Sequence, residues 1–350
     1  MDLVLLAIAF VVILAGAELF TNGIEWFGRK LELAEGAVGS VLAAVGTALP
    51  ETMIPIIAIA LSNGAGSTHE VGVGAILGAP FMLSTLAMFV TGIGVLAFRR
   101  RRPTATRMPV DTVVLVHDMR YFVFAYALAI GAALLPAELA GGKLLVAVIL
   151  LGIYAWYVKG HFEADPDVDA EDLAPLRFHR LDRHGRRHDP AVPRLRIVGV
   201  QVVAALVAIV GGAWLFVGAV DRLAASLGVN EILLALVIAP IATELPEKFN
   251  SLIWVRQGKD TLAMGNITGA MVFQSAIPTV VALVFAGDAW RVSDASLTAF
   301  ASAGIAFLAV GAIFLPMWRR ARLDGRGLLV GGAFYLGYLA LVVVEIAGIG

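Results

Sequence analysis

Two carboxylates stand where an apolar chain should least accept them. Glu51 lies in "GTALPET" (46–52) and Glu247 in "ATELPEK" (242–248), both inside long apolar stretches. An acidic residue at the centre of a bilayer costs about 2.5–3.5 kcal/mol on insertion scales. A cost met twice, in one local pattern, points to a job, and the neighbours suggest which. Pro50 and Pro246 each remove a backbone donor and disturb the preceding turn. Gly46, Gly74, Gly78, Gly265 and Gly269 relax a helix or admit a close neighbour. A helix broken at membrane depth exposes carbonyl oxygens, which is tolerated only where they face protein or line a cavity. Carboxylates beside such carbonyls form an oxygen-rich nest for a hard cation.

The elements that must position these groups follow from composition. Of 350 residues, 59% are hydrophobic and 15% charged; an ordinary soluble protein carries roughly 25% charged residues. The chain reads as an all-α polytopic membrane protein. There is no cysteine, so disulfides, thiolate metal sites and Cys nucleophiles are excluded. Spans of about 20 apolar residues are expected at 2–26, 37–62, 71–98, 119–136, 142–158, 195–220, 228–254, 260–286, 293–317 and 327–348. The first is read as a retained span, since it lacks the basic start of a signal peptide. Residues 1–158 and 195–350 then form two five-span halves, joined by a polar, charged linker over 159–194. His179, His184 and His188 in that linker lack zinc-ligand spacing and read as solvated.

Lys and Arg set the orientation. Arg29, Lys30, "RRRR" (99–102), Arg107, the linker, Arg256, Lys259 and "RRARLDGR" (319–326) all fall on one side, which is expected to be cytoplasmic. The other side holds only Lys143, Arg222 and Arg291, and both termini are expected there.

The halves repeat. At an offset of 196 residues, "GAELF" (16–20) faces "GAWLF" (212–216), Glu35 faces Glu231, and "TALPE" (47–51) faces "TELPE" (243–247). "GAILGA" (74–79) and "GNITGA" (265–270) recur after a shorter gap. Five is an odd number of spans, so the second half enters the membrane in the opposite sense. Such inverted repeats, with broken helices at the midplane, are a plan of secondary transporters. Glu51 and Glu247 should face one shared site.

Paired "G-T-S-L-P-E" motifs in inverted halves of five spans, each followed by "G-N-x-x-G-S-N", mark the sodium/calcium exchanger (Ca2+/cation antiporter) superfamily, which this chain resembles over nearly its whole length. Asp118 in "VHDMRYF" (116–122) looks like the Asp of the family's "RD" at the fourth span. The resemblance implies ten helices, ion sites among the second, third, seventh and eighth spans, and a sliding pair formed by the first and sixth. It carries ion-binding roles to Glu51, Glu247, Thr47 and Thr243, and matches Pro50, Pro246 and Asn266. The motif serines are replaced by Ala48 and Glu244, Ala75 has lost the first-half Asn, and Ala79, Leu83, Ala270 and Gln274 stand where further polar ligands are usual.

Glu51, Glu244 and Glu247 can supply up to six carboxylate oxygens, enough with threonine carbonyls for the six to eight that calcium takes. Glu244 and Lys248 are spaced i, i+4. Lys248 is then either a tethered charge partner in the site or half of a structural pair outside it. Three close carboxylates cannot all stay ionised in an empty, dry site, so proton uptake on cation release is natural. Proton coupling is favoured over sodium coupling, because the sodium ligands of the family are among the residues lost. Gln274 is either a ligand or a helix–helix hydrogen bonder.

Other polar residues carry ordinary readings. Glu18 suits helix pairing, Glu35 and Glu231 suit helix starts, and His69 and Glu70 suit an outer loop. Trp26, Trp254 and Trp290 fit interfacial belts. The expected function is a secondary active cation antiporter exchanging Ca2+, or another hard cation, against H+ or Na+. The alternatives are a Na+/H+ exchanger of the same fold and a transport-inactive ion-binding homologue. An enzyme is not expected, because no H-E-x-x-H or Ser/His pair lies in the spans. The expected partners are inorganic cations and the lipid bilayer of a prokaryotic cytoplasmic membrane. No organic cofactor, nucleic acid or terminal regulatory domain is expected.

Overall fold

The computed structural model describes residues 2–34, 36–48, 66–136, 140–163, 173–181, 193–227, 245–293, 296–320 and 322–346. Helices run in the order α1 (Asp2–Lys30), α2 (Ala37–Ala43, continued by Ala44–Thr47), α3 (Gly66–Met82, Leu83–Ala87 and Met88–Phe98), α4 (Thr112–Ala132) and α5 (Ala140–Phe162). They continue with α6 (Leu195–Leu227), α7 (Leu245–Gln257), α8 (Asp260–Phe285), α9 (Leu297–Arg320) and α10 (Gly325–Leu328 with Val330–Ile346). Among the described residues, eight helices are long and apolar enough to cross a membrane; Ala37–Thr47 is a shorter apolar helix. Two segments, Ala37–Ala43 and Leu83–Ala87, are π-helical.

Eight expected spans fall on these helices, with instructive shifts, while 49–62 of the second and 228–244 of the seventh lie outside the described residues. The fourth starts at Thr112 rather than 119, because Asp111 caps it: its carboxylate accepts from the Val113 and Val114 amides at 2.7 and 3.2 Å. Asp118 therefore lies nearly two turns inside the helix. His69 and Glu70 belong to α3 rather than a loop. Trp26, Trp254 and Trp290 are buried in protein rather than set in a lipid-facing belt. Their indole N–H groups find Ala174 O, Glu25 Oε1 and Ala129 O at 2.7–2.9 Å, as a buried indole requires.

α8 is the axle of the fold. In its most apolar window 78% of residues are buried, against 22% in α10, so α8 is surrounded by protein while α10 borders lipid. α2, α3, α4, α5 and α7 all pack on α8. α1 packs chiefly on α6. A methyl added at Gly16 would stand 3.2 Å from the Ile209 amide nitrogen, and one at Gly212 would stand 3.2 Å from that of Ile13. At the 196-residue offset Gly16 is equivalent to Gly212 and Ile13 to Ile209, and 16 meets 209 while 13 meets 212. The two helices are therefore antiparallel and pack reciprocally.

Beyond the helix ends on the linker side, Arg102 is fully buried against Asp260, with Nη1 and Nη2 at 2.8 and 2.6 Å from the two carboxylate oxygens. The short antiparallel pair Arg107–Met108 with Leu323–Asp324 ties the loop after α3 to the start of α10. The linker is not wholly solvated. A 3-10 turn at Arg177–Leu181 docks on α1 and α6, and Leu176 is buried with Trp26 and Val198.

Candidate cation site

Asn266 sits on α8, fully buried. Its Oδ1 accepts from the Thr47 hydroxyl at 3.2 Å, and its Nδ2 donates to the Glu247 carbonyl at 3.2 Å. One residue from each repeated motif thus meets at a single amide. Thr47 is the last helical residue of α2, and its hydroxyl also reaches back to Ala43 O at 3.0 Å. Glu247 lies in the first described turn of α7 and is fully buried. Of the two roles expected of Gly46, the structure shows the close approach: a Cβ there would stand 2.5 Å from the Phe20 ring of α1.

Ser251, four residues after Glu247, donates to Ala263 O at 3.0 Å and lies 3.5 Å from Asn266 Nδ2. Asn250 accepts from Thr21 of α1 at 2.8 Å, and all three are buried. Neither Asn250 nor Ser251 was expected at the site, although their spacing of i+3 and i+4 from Glu247 puts them on its helix face. That signal was present in "EKFNS". Oxygen donors of the kind a hard cation selects are thereby gathered from α2, α7 and α8.

The expected residues divide into three groups. Thr47, Glu247 and Asn266 are brought together. Gln274 is buried in α8 but lies eight residues beyond Asn266, about 12 Å along the axis at 1.5 Å per residue. Glu51, Thr243, Glu244 and Pro50 lie outside the described residues. Lys248 is buried, and its expected pairing with Glu244 falls outside them too. Pro246 is in the first described turn of α7; the break expected before it lies outside. Gly265 and Gly269 bring the α8 backbone against Ser40 of α2, whereas among the described residues no neighbour stands within 4 Å of a Cβ at Gly74 or Gly78.

A family model described as sodium/calcium exchanger protein matches residues 1–160 and 197–346. The chain belongs to the sodium/calcium exchanger family. The match skips nearly the whole linker, the first two residues of α6 and the last four residues, and so covers both halves of the repeat. Among relatives, the protein named "Putative antiporter CaxA" from Alkalimonas amylolytica is 25% identical over 273 residues, 76% of this chain and 75% of its own. An uncharacterised membrane protein of Methanocaldococcus jannaschii, MJ0091, is 35% identical over 89 residues, 23% of this chain and 30% of its own. Among solved structures, the sodium-calcium exchanger NCX_Mj soaked with Na+ and Sr2+ superposes with a TM-score of 0.71 at 16% identity, covering 97% of each chain. At that identity the likeness is one of fold. The exchanger family consists of membrane-embedded cation antiporters, which makes this chain a multi-pass transporter rather than an enzyme.

Proposed function

We propose that this exchanger is a secondary active antiporter of ten spans in two inverted repeats, exchanging Ca2+ or another hard cation against H+ or Na+ by alternating access. The observation that carries the reading is the meeting of Thr47 and Glu247, one from each motif, at Asn266. Glu51, Glu244 and Thr243 complete the proposed ligand set, and Gln274 extends it along α8. The antiparallel, reciprocal packing of α1 on α6 supports the inverted repeat, because helices at equivalent positions run in opposite directions. It also supports a moving pair, since α1 and α6 pack on each other more than on the α8 bundle. The basic loops and linker are taken as cytoplasmic. Exchange, rather than passive flow, fits a relative that is itself named as an antiporter.

The test is uptake of calcium-45 and sodium-22 into sealed vesicles under an imposed proton or sodium gradient, with Glu51→Gln and Glu247→Gln as controls. Gradient-driven calcium uptake, lost in both variants, is the expected result, and the driving gradient names the coupling ion. Sodium uptake driven by protons without calcium uptake would reassign the substrate. No uptake of either ion under any gradient would sink the antiporter reading.

A further inference from the structure

A second buried polar centre stands at the crossing of α2 and α8. It is organised by Asp118 of α4, which is fully buried. Four donors converge on its carboxylate. Oδ2 accepts from the Ser40 hydroxyl of α2 at 2.7 Å and from the Thr268 hydroxyl of α8 at 2.5 Å. Oδ1 accepts from the Tyr157 hydroxyl at 3.0 Å and lies 2.9 Å from His161 Nε2, both on α5. A carboxylate is acceptor-only, so His161 must carry its proton on Nε2 to complete the set. One side chain therefore binds three other helices, and two of these, α2 and α8, carry cation-site residues.

The centre also holds α2 in an unusual winding. Residues Ala37–Ala43 are π-helical, and the Ala44 amide reaches Gly39 O, one residue further back than an α-helix would direct it. In an α-helix its acceptor would be Ser40 O. The single Tyr157 hydroxyl proton is shared between Asp118 Oδ1 and that carbonyl, 3.1 Å away, while Asp118 takes the Ser40 hydroxyl. Both polar groups of Ser40 are thus bound from outside the helix. Rewinding this turn as α-helix would remove one residue from the turn and rotate everything after it, Thr47 included, by about 100°.

We propose that Asp118 is a positioning residue for cation binding: with Tyr157 it fixes the π-helical opening of α2 against α8, and so directs Thr47 onto Asn266. Ser40 precedes Thr47 by seven residues on α2, and Thr268 follows Asn266 by two on α8. The same helix pair is therefore fastened twice, directly at the site and through Asp118. The inference rests on the cation-site reading above.

The experiment measures equilibrium binding of calcium-45 to detergent-purified wild type, Asp118→Asn, Tyr157→Phe and Thr268→Val, alongside uptake into vesicles. Half-saturating calcium should rise about ten-fold in Asp118→Asn, which loses a charge-assisted network. It should rise about three-fold in each of the other two, which lose neutral hydrogen bonds. Maximal uptake should stay within about two-fold, as for removal of a ground-state binding interaction. If Asp118→Asn does not fold, Tyr157→Phe and Thr268→Val decide, since each removes little volume. Folded variants with wild-type half-saturation would overturn the proposal. So would a fall in maximal rate at unchanged half-saturation, the signature of a movement defect. A wild type that binds calcium without carrying it would sink the antiporter reading while the binding comparison still judges Asp118. A wild type that binds no calcium is put through the same comparison with sodium-22.

Discussion

Asn266 is the residue on which both motifs converge, so its removal should be felt as affinity. Asn266→Ala deletes one acceptor and one donor from a buried site. Half-saturating cation should rise about ten-fold or more, equivalent to roughly 1.4 kcal/mol. Thr47→Val keeps volume and removes the hydroxyl, and a rise of about three- to ten-fold is expected. Concentration dependence of vesicle uptake checks both; unchanged half-saturation in either would remove that residue from the site. Thr47, Glu247 and Asn266 were legible in the sequence because repetition at one offset singled out two of them and the "GN" motif the third. Asn250 and Ser251 were legible in principle, from helical spacing alone. The four-donor set around Asp118 was not. Its members Ser40, Asp118, Tyr157, His161 and Thr268 are scattered over more than two hundred residues, and only the packing of α2, α4, α5 and α8 collects them.

At the scale of elements, the crossing of α2 and α8 depends on a missing side chain. A Cβ at Gly269 would overlap the Ser40 carbonyl, and backbone cannot swing aside as a side-chain tip can. Gly269→Ala should destabilise the protein by about 3 kcal/mol, the upper end for overpacking. Gly304→Ala, where nothing lies within 4 Å, should leave stability unchanged or raised by up to about 1 kcal/mol. Melting temperatures in detergent compare the two; equal melting would contradict the close crossing. Arg102→Met would strand Asp260 in a buried place, at a cost of about 3–5 kcal/mol, and Asp260→Asn in the same chain should recover part of it. The eight long apolar helices among the described residues could be read from hydropathy, because span length is imposed by the bilayer and not by neighbours. The start of α4 could not, since His117 and Asp118 dilute its apolar run and the deciding signal is the Asp111 cap. The π-helical winding of α2 could not either: in "AVGSVLA" nothing distinguishes it from ordinary helix, and its cause lies on α4 and α5.

For the whole molecule, the antiport reading requires α1 and α6 to move against the bundle around α8. Thr21 of α1 donates to Asn250 of α7 at 2.8 Å, across the boundary where that movement would occur. The chain has no cysteine, so a Thr21→Cys/Asn250→Cys pair adds the sole thiols. Oxidation should abolish uptake in the pair and not in either single variant, and a reductant should restore it. Full uptake by the cross-linked protein would exclude sliding at this boundary.

The linker turn gives that movement an outward sign. Asn22 donates to Ala174 O at 3.2 Å and accepts from the Arg177 amide at 3.1 Å. Gln201 of α6 accepts from the Phe178 amide at 2.8 Å and donates to Leu19 O and Asn22 Oδ1. Arg177 pairs with Glu18 at 2.7 Å. The turn is fastened to both members of the pair, so it would travel with them in the proposed exchange. It is the needle of a dial whose mechanism lies inside the bilayer. A fluorophore carried at position 179 would display each half-cycle at the water-facing surface, where it can be watched without entering the membrane.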